Sequence, residues 1–290
     1  MAASTPALSL IAHPYDRLIP VLRGVKDLRA HGRAPGAALV WHLAAAPPQA
    51  NLSLVERRPG GLALLVVLPP VPDITKEPKL IELVQAARPQ GILPYHVGPR
   101  ARDLAQVLRR PPDDLPADVT EYLAWRGLMV DGATSHLVRR VIELSADLRS
   151  IAALSRSMYM SRRALGRRLM SRGLPVPSHW LQVARLLRVS IKLQNSDMSV
   201  LSAAYEHGYP DGFSVSNQMY RLTGYRPSDA RKYLGWEWLF EAWLRTEAET
   251  GGLAPGLAGA VRTERMEQAR RGARARPPRR QRVPDSELAG

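Results

Sequence analysis

The sequence lacks cysteine and any long hydrophobic run. Without Cys, the chain can form no disulfide, no thiolate metal site and no Cys nucleophile. Its longest uncharged apolar stretch, residues 62–72, has 11 residues and contains Pro69 and Pro70, whereas a membrane-spanning helix needs about 20. The amino-terminal residues show no basic run ahead of an apolar core, so they lack the composition of a secretory signal. We therefore expect a soluble cytoplasmic protein with no membrane partner.

The sequence also lacks the residue spacings of common metal and phosphate sites. Its 7 histidines form no HxH or HxxxH pair, which argues against a metal site. No Gly-rich loop of the GxxxxGK[ST] type occurs either, so the sequence shows no recognisable loop that could bind a nucleotide phosphate. We predict that the protein uses neither a metal ion nor another cofactor.

The positive charge of the chain is concentrated in one region. The 41 basic and 26 acidic side chains give a net charge of +15, which suggests an anionic partner. Residues 131–235 carry 16 basic and 7 acidic side chains, whereas residues 1–130 have a net charge of only +4. The Arg-rich segment RRGARARPPRRQR has no periodic hydrophobic face, and we predict a mostly disordered basic tail over residues 241–290. Such a tail either attracts phosphates non-specifically or is a solvated extension.

Short apolar runs and helical patterns alternate in the first 130 residues. The runs at 37–43, 62–68 and 92–97 have strand length, and amphipathic patterns at 78–88 and 101–110 indicate helices. This alternation predicts an α/β domain over residues 1–130 with a small parallel sheet and right-handed crossovers. From residue 131 onward the pattern indicates helices only.

Several roles remain open for this α/β domain. It could bind an effector, pair two copies of the chain, or be a degenerate receiver domain. A functional receiver domain requires an acidic pair before the aspartate that follows its third strand. Here Asp73 follows a predicted strand, but no acidic pair precedes it. An enzyme is the main rival class, with a pocket built from Asp16, His42 or His96 and the basic region as a targeting module. No residue spacing requires that enzyme, and we expect a non-enzymatic protein.

A first helix-turn-helix unit is predicted within residues 134–171. A helix over residues 134–144 leads to a short helix that buries Ile151 and Leu154, and Ser161 is placed to cap the helix after the turn. At 100° per residue, Arg163 and Arg167 lie on the side of that helix opposite its core residues, with Gly166 next to them. Arg162 and Arg168 flank the core side, within reach of a DNA backbone.

The same helical periodicity predicts a second helix-turn-helix unit further along the chain. Ser199 and Asp211 are placed to cap two helices, and Gly208 suits a left-handed turn between them. Val215, Met219 and Leu222 share the core face of the second helix. The opposite face then carries polar and aromatic side chains, namely Phe213 and Asn217 with Ser216 and Tyr220 beside them. A continuous helix over residues 178–194 would join the two units, and Trp236 and Trp238 beyond them are predicted core or interface anchors.

Residues 134–234 resemble the carboxyl-terminal DNA-binding domain of the AraC/XylS transcriptional regulators. The stretch GYPDGFSVSNQMYRLTGYRPSDAR is similar to the signature of that family, carried here by Gly208, Tyr209, Asp211, Gly224, Pro227, Ser228 and Arg231. The chain departs from the family pattern where it has Tyr159, Met219 and Ala230. The helical runs near residues 78–88 and 101–110 also do not fit the β-rich sensor that often precedes this domain.

The resemblance implies a tandem helix-turn-helix domain over residues 131–240, with recognition helices at about 161–171 and 211–223. By position, it assigns base reading to Arg163, Gly166, Arg167, Gly212, Phe213 and Asn217. The helical faces add Arg162 and Ser216 as further DNA-binding residues, without a base-reading role. Arg can bind a guanine edge, Asn an adenine edge, and Phe a thymine methyl group. We therefore expect a sequence-specific regulator of transcription, an activator or a repressor, that binds double-stranded DNA.

Two alternatives accompany this interpretation. A non-specific DNA-binding architectural protein would have the same positive charge but equal affinity for all sequences. The regulator itself leaves open a contact with RNA polymerase and homodimerisation through residues 1–130.

Overall fold

A computed structural model describes residues 6–32, 34–69, 78–94, 101–128, 131–232 and 235–262. An α/β region comes first along the chain, and an all-helical region follows it. The predicted fold class is therefore confirmed. Asp73, His96 and residues 263–290 of the predicted basic tail lie outside the described residues.

The sheet of the α/β region is mixed, which corrects the predicted parallel sheet. Its strands are β1 (Leu8–Ile11), β2 (Ile19–Pro20), β3 (Ala38–His42), β4 (Ala63–Val67) and β5 (Gly91–Leu93), in the order β2-β1-β3-β4-β5. The three strands expected from the sequence are parallel to each other, but β1 runs antiparallel to both of its neighbours. A receiver domain has an all-parallel sheet, so this topology departs from it.

Helices cover both faces of the sheet. They are α1 (Val25–His31), α2 (Pro48–Glu56), α3 (Pro78–Ala86) and α4 (Ala101–Arg109). Leu28, Val55 and Val84 pack on one face, and Leu104 and Leu108 pack on the other. Because both faces are buried, the central strands are continuous apolar runs rather than alternating ones.

The helical region is built around one long helix. The helices are α5 (Leu115–Trp125), α6 (Gly132–Leu144), α7 (Ile151–Ser157), α8 (Arg162–Met170), α9 (Pro177–Asn195), α10 (Val200–Glu206), α11 (Gly212–Thr223), α12 (Pro227–Lys232), α13 (Trp236–Thr250) and α14 (Pro255–Arg262). The long helix is α9, and its contacts extend to α6, α7, α8, α10, α11, α12 and α13. Trp180, Val183 and Leu187 are among its buried side chains.

The structure differs from the predicted layout at both ends of the helical region. Val119, Tyr122 and Leu123 of α5 belong to the helical core, although the prediction placed them in the first domain. Residues 241–262, predicted to begin the tail, instead complete α13 and form α14. Trp236 and Trp238 are both buried in this core, as predicted.

A buried polar network holds α13 against the α/β region. Arg126 of α5 donates two hydrogen bonds of 2.9 and 2.8 Å to the Glu241 carboxylate, and the Tyr122 hydroxyl donates a third of 2.8 Å. That hydroxyl accepts a 2.8 Å hydrogen bond from the Gly61 amide in the loop before β4. A Cβ at Gly60 would lie 2.4 Å from the Glu241 side chain, so only glycine permits this approach.

A second ion pair reinforces the same junction. The Arg88 guanidinium, in the loop between α3 and β5, donates a 2.9 Å hydrogen bond to Glu237 and a 3.0 Å hydrogen bond to the Asp118 carbonyl. The side chains of Arg88 and Glu237 are both largely buried. The two regions of the chain are therefore joined by charged groups that are paired and hydrogen-bonded, as buried charges must be.

Candidate DNA-binding surface

The first helix-turn-helix unit has the local structure that its sequence predicts. The Ser150 and Ser161 hydroxyls accept amide hydrogen bonds of 3.2 and 3.1 Å, which cap α7 and α8. Between the helices, Tyr159 adopts a φ of 52°, in the left-handed region that glycine usually occupies. The family-typical Gly is thus replaced here without loss of the turn.

The outer face of α8 is basic and solvent-exposed. Leu165 and Leu169 are fully buried, and the side chains of Arg162, Arg163 and Arg167 are exposed. None of these three arginines forms an ion pair within the described part of the chain. A Cβ at Gly166 would meet open space, so this position leaves room for a partner to approach the helix backbone. The helix contains no acidic residue.

The second unit is capped and turned in the same way. Asp211 caps α11 by accepting a 2.6 Å hydrogen bond from the Ser214 amide, and this hydrogen bond holds the pKa of the carboxyl below its ordinary value. Gly208 has a φ of 71° in the turn, and Gly224 ends α11 with a φ of 77°. These glycines supply the left-handed conformations at both ends of the motif.

The outer face of α11 presents an exposed aromatic ring and an amide. Phe213 is 82% exposed, so it does not fold back into the core. Asn217 is exposed, and its side chain forms no hydrogen bond with any described residue. The Ser216 hydroxyl donates a 2.9 Å hydrogen bond to the Gly212 carbonyl, and a Cβ at Gly212 would make ordinary van der Waals contact with the start of α10, at 3.6–3.7 Å. These two residues therefore also shape the helix and its packing.

A basic cluster at the end of α11 has no residue-level assignment in the sequence analysis. Arg221 is exposed in the last turn of α11, and the Arg226 guanidinium lies 5.2 Å from the Tyr220 ring centroid. The sequence signal for this cluster is the pair of arginines in YRLTGYR, one on each side of Gly224. The helix α11 contains no acidic residue, so cations and hydrogen-bonding groups face solvent on both candidate recognition helices.

Helix α9 sets the relation between the two units. It has 19 residues and is therefore about 28 Å long at about 1.5 Å per residue. Both α7 and α8 of the first unit and α10 and α11 of the second pack on it. Arg185 of α9 also donates hydrogen bonds of 2.8 and 2.9 Å to the His207 and Gly208 carbonyls, which fastens the second turn to the same helix.

These features define a tandem helix-turn-helix domain with two outward recognition helices. Residues 154–233 match a family model described as a helix-turn-helix domain, of the AraC type. The resemblance is thereby confirmed for this segment, which is a DNA-binding helix-turn-helix domain of the kind found in AraC/XylS-family regulators of transcription. No curated protein and no solved structure matches the chain.

The residues proposed for a rival enzyme do not form a site in the described structure. Asp16 is exposed in the loop after β1, and His42 ends β3; because β1 and β3 are antiparallel, the two lie toward opposite ends of the sheet. Burial lowers the pKa of His42, and its Nε2 has no hydrogen-bond partner in the part of the chain that the structure describes. Among the described residues, no group of three His, Cys, Asp or Glu could hold a metal ion. No helix in these ranges is long and apolar enough to cross a membrane.

Proposed function

We propose that this regulator binds double-stranded DNA sequence-specifically, with α8 and α11 reading successive major-groove segments. The observation that carries the proposal is that each helix buries one face in the helical core while its opposite face is exposed and free of acidic residues. That outer face carries arginine or asparagine side chains that have no partner among the described residues. A helix of this kind fits the major groove, where each base pair has its own donor and acceptor pattern.

The proposal gives different tasks to the exposed side chains. Arg163 and Arg167 read guanine edges, and Gly166 allows α8 to lie deep in the groove. Asn217 reads an adenine edge, and Phe213 contacts a thymine methyl group, which suits an aromatic ring 82% exposed in the free protein. Three further residues support these readers: Arg162 on the phosphate backbone, and Gly212 and Ser216 at the start of α11.

The separation of the units bears on the shape of the DNA. Successive major-groove segments on one face of B-DNA are about 34 Å apart. The connecting helix, about 28 Å long, is shorter than that distance. We expect the bound duplex to bend toward the protein, with a deformation energy that depends on sequence.

Selection of bound sites from random double-stranded DNA, at a fixed salt concentration, tests the proposal. We expect an enriched motif with two half-sites about one helical turn apart. Arg167→Ala should weaken binding to the selected site by about 10-fold or more and binding to random DNA far less, because a bidentate base contact discriminates by about 1–3 kcal/mol. Asn217→Ala should relax the preference at one base position.

The matched control is Arg57→Ala, which removes an exposed arginine from the α/β region. It changes the net charge equally and should leave the selected motif intact. Absence of any enriched sequence, together with a steep salt dependence, would instead identify a non-specific architectural protein. Equal losses on specific and random DNA for Arg167→Ala would remove that residue from the base-reading set.

The proposal places the regulator in the cytoplasm with double-stranded DNA as its partner. A contact with RNA polymerase and pairing of two copies through the α/β region are compatible with it. Neither is needed for the selection experiment to succeed.

A further inference from the structure

The turn of the first helix-turn-helix unit carries an unusual tyrosine. Tyr159 has a φ of 52°, a conformation that is disfavoured for residues with a Cβ. Its side chain is 98% exposed, and it makes no hydrogen bond or ring contact with any described residue. The turn itself is held by backbone hydrogen bonds of 3.0 Å from Tyr159 to Arg156 and from Met160 to Ser155. No contact with the described residues therefore compensates for a bulky side chain at this position.

A groove of about 420 Å³ lies beside this tyrosine, between α6 and the turn. Its basic groups are His136 and Arg140 of α6 and Arg168 of α8, and its apolar walls are formed by Ala133, Leu137, Met158 and Met160. Arg140 is paired with the exposed Glu143 at 2.8 Å, whereas Arg168 forms no ion pair with a described residue. None of the described residues that line the groove carries a carboxylate.

Arg168 connects the groove to the recognition helix. It follows Arg167 and is rotated by about 100° from it around α8, toward the side of the helix that faces the groove. A duplex whose major groove holds Arg163 and Arg167 would therefore have one of its phosphate strands along this flank. Tyrosine hydroxyls and arginines are common donors to phosphate oxygens.

We infer that Tyr159 and Arg168, with His136 and Arg140 on the rim, form a shelf that binds the sugar–phosphate backbone beside the first recognition helix. The Tyr159 hydroxyl donates a hydrogen bond to a phosphate oxygen, and Arg168 donates a charge-assisted one. This inference rests on the proposed DNA-binding function. It adds residues that position α8 in the major groove of the DNA without contacting the bases.

A nucleic-acid backbone fits this shelf better than a segment of the chain itself. The predicted basic tail has the same sign of charge as the rim, so it would be repelled. A docked protein segment would need acidic and apolar residues, and it would leave the position of Arg168 on the flank of α8 without an explanation. A protein partner is therefore the alternative outcome of the test.

Replacing Tyr159 with Gly separates the structural cost from the binding contribution. Glycine adopts a φ of 52° without steric strain, so the Tm of the variant should be about 2–4 °C higher than that of the wild type. Its Kd should nevertheless rise about 3- to 10-fold, equally for the selected site and for random DNA, because backbone contacts carry no sequence information. Tyr159→Phe keeps the ring and should reproduce the part of this loss that belongs to the hydroxyl.

The salt dependence of binding tests Arg168. Arg168→Gln should reduce the slope of log K against log salt by about 1, the signature of one lost phosphate contact. Arg57→Gln removes an exposed arginine of the α/β region, far in sequence from Arg168, and should leave the slope unchanged.

Each outcome separates this inference from the proposed function. If the wild type selects a DNA motif but Tyr159→Gly and Arg168→Gln bind both DNAs as the wild type does, the shelf is wrong and the proposed function stands. If those variants bind DNA normally but lose regulation of a promoter, the groove binds a protein partner and the inference is also overturned. If the wild type binds no DNA, the proposed function itself fails.

Discussion

Replacing Glu241 with Gln tests how the α/β region is held on the helical region. The Glu241 side chain is 1% exposed and accepts hydrogen bonds from Arg126 and Tyr122. The guanidinium of Arg245 lies 3.5 Å from the same carboxylate. Glutamine keeps the size and shape of the side chain but removes the negative charge at the centre of this network.

The size of the effect follows from the burial of the cations. The side chains of Arg126 and Arg245 are only 10% and 15% exposed, so water cannot replace the lost carboxylate. Breaking a buried pair from one side costs about 3–5 kcal/mol. Because the amide oxygen of glutamine can still accept one hydrogen bond from Arg126, we expect a loss of about 3 kcal/mol in the free energy of unfolding.

Urea denaturation followed by tryptophan fluorescence measures this loss, since Trp238 and Trp243 lie on the same helix as Glu241. The matched control is Glu247→Gln. Glu247 is also buried on α13, but its partner His179, at 3.0 Å, is 41% exposed. We expect the control to lose less than about 1 kcal/mol, because solvent reaches the His179 side chain and can replace its contact with Glu247.

Two results would refute this reasoning. A loss below about 1 kcal/mol for Glu241→Gln, or equal losses for both variants, would show that apolar packing alone holds α13 in place. Combining Glu241→Leu with Arg126→Met removes the carboxylate together with one of its two buried cations, and replacing both members of a buried pair by apolar groups is often neutral. That double variant should be more stable than Glu241→Leu alone, and no gain over this single variant would contradict the assignment to an unpaired charge.

Three further predictions concern single residues. Burial and neighbouring carboxylates raise the pKa of Asp118 to about 6, so its protonated form favours folding. The wild type should therefore lose stability, by about 1 kcal/mol after solvent screening, as pH rises from 4 through 6 to 8. Asp118→Asn should not show this loss, and parallel curves of Tm against pH would contradict the cause. Ser161→Ala removes the cap of α8 and should cost about 1 kcal/mol in chemical denaturation, whereas Ser161→Asn should retain most of the cap. Gly224→Ala places a Cβ at a φ of 77° and should cost about 1 kcal/mol; an unchanged Tm would show that the turn can relax.

The helix-turn-helix units were predictable from the sequence because their determinants are local. Ser161 and Asp211 lie three residues from the amides that they bind, and Gly208 stands where the turn requires a left-handed residue. Helical periodicity likewise predicted that Leu165 and Met219 would be buried. All of these signals act within a few residues of the chain.

The strand β1 and the full extent of α13 and α14 could not be predicted from such local sequence signals. The strand β1 has only four residues and includes the polar Ser9, so it is not the continuous apolar run by which the other buried strands were predicted. Its pairing with β3 joins segments about 30 residues apart. Without the tertiary structure, the residues of α13 beyond position 240 and of α14 have no partner for their apolar faces. The structure supplies that partner in the helical core.

The sequence by itself determined two capped candidate recognition helices and the face of each that is exposed, because capping and periodicity depend on near neighbours. Only the tertiary structure decided that the glutamates of α13 are buried and paired with arginines. Glu237 and Glu241 are paired with Arg88 and Arg126, which lie 149 and 115 residues earlier in the chain. In the sequence such glutamates suggest a solvated helix face. Only folding brings the distant arginines close enough to make their burial stable, and so joins the α/β region to the DNA-binding helices.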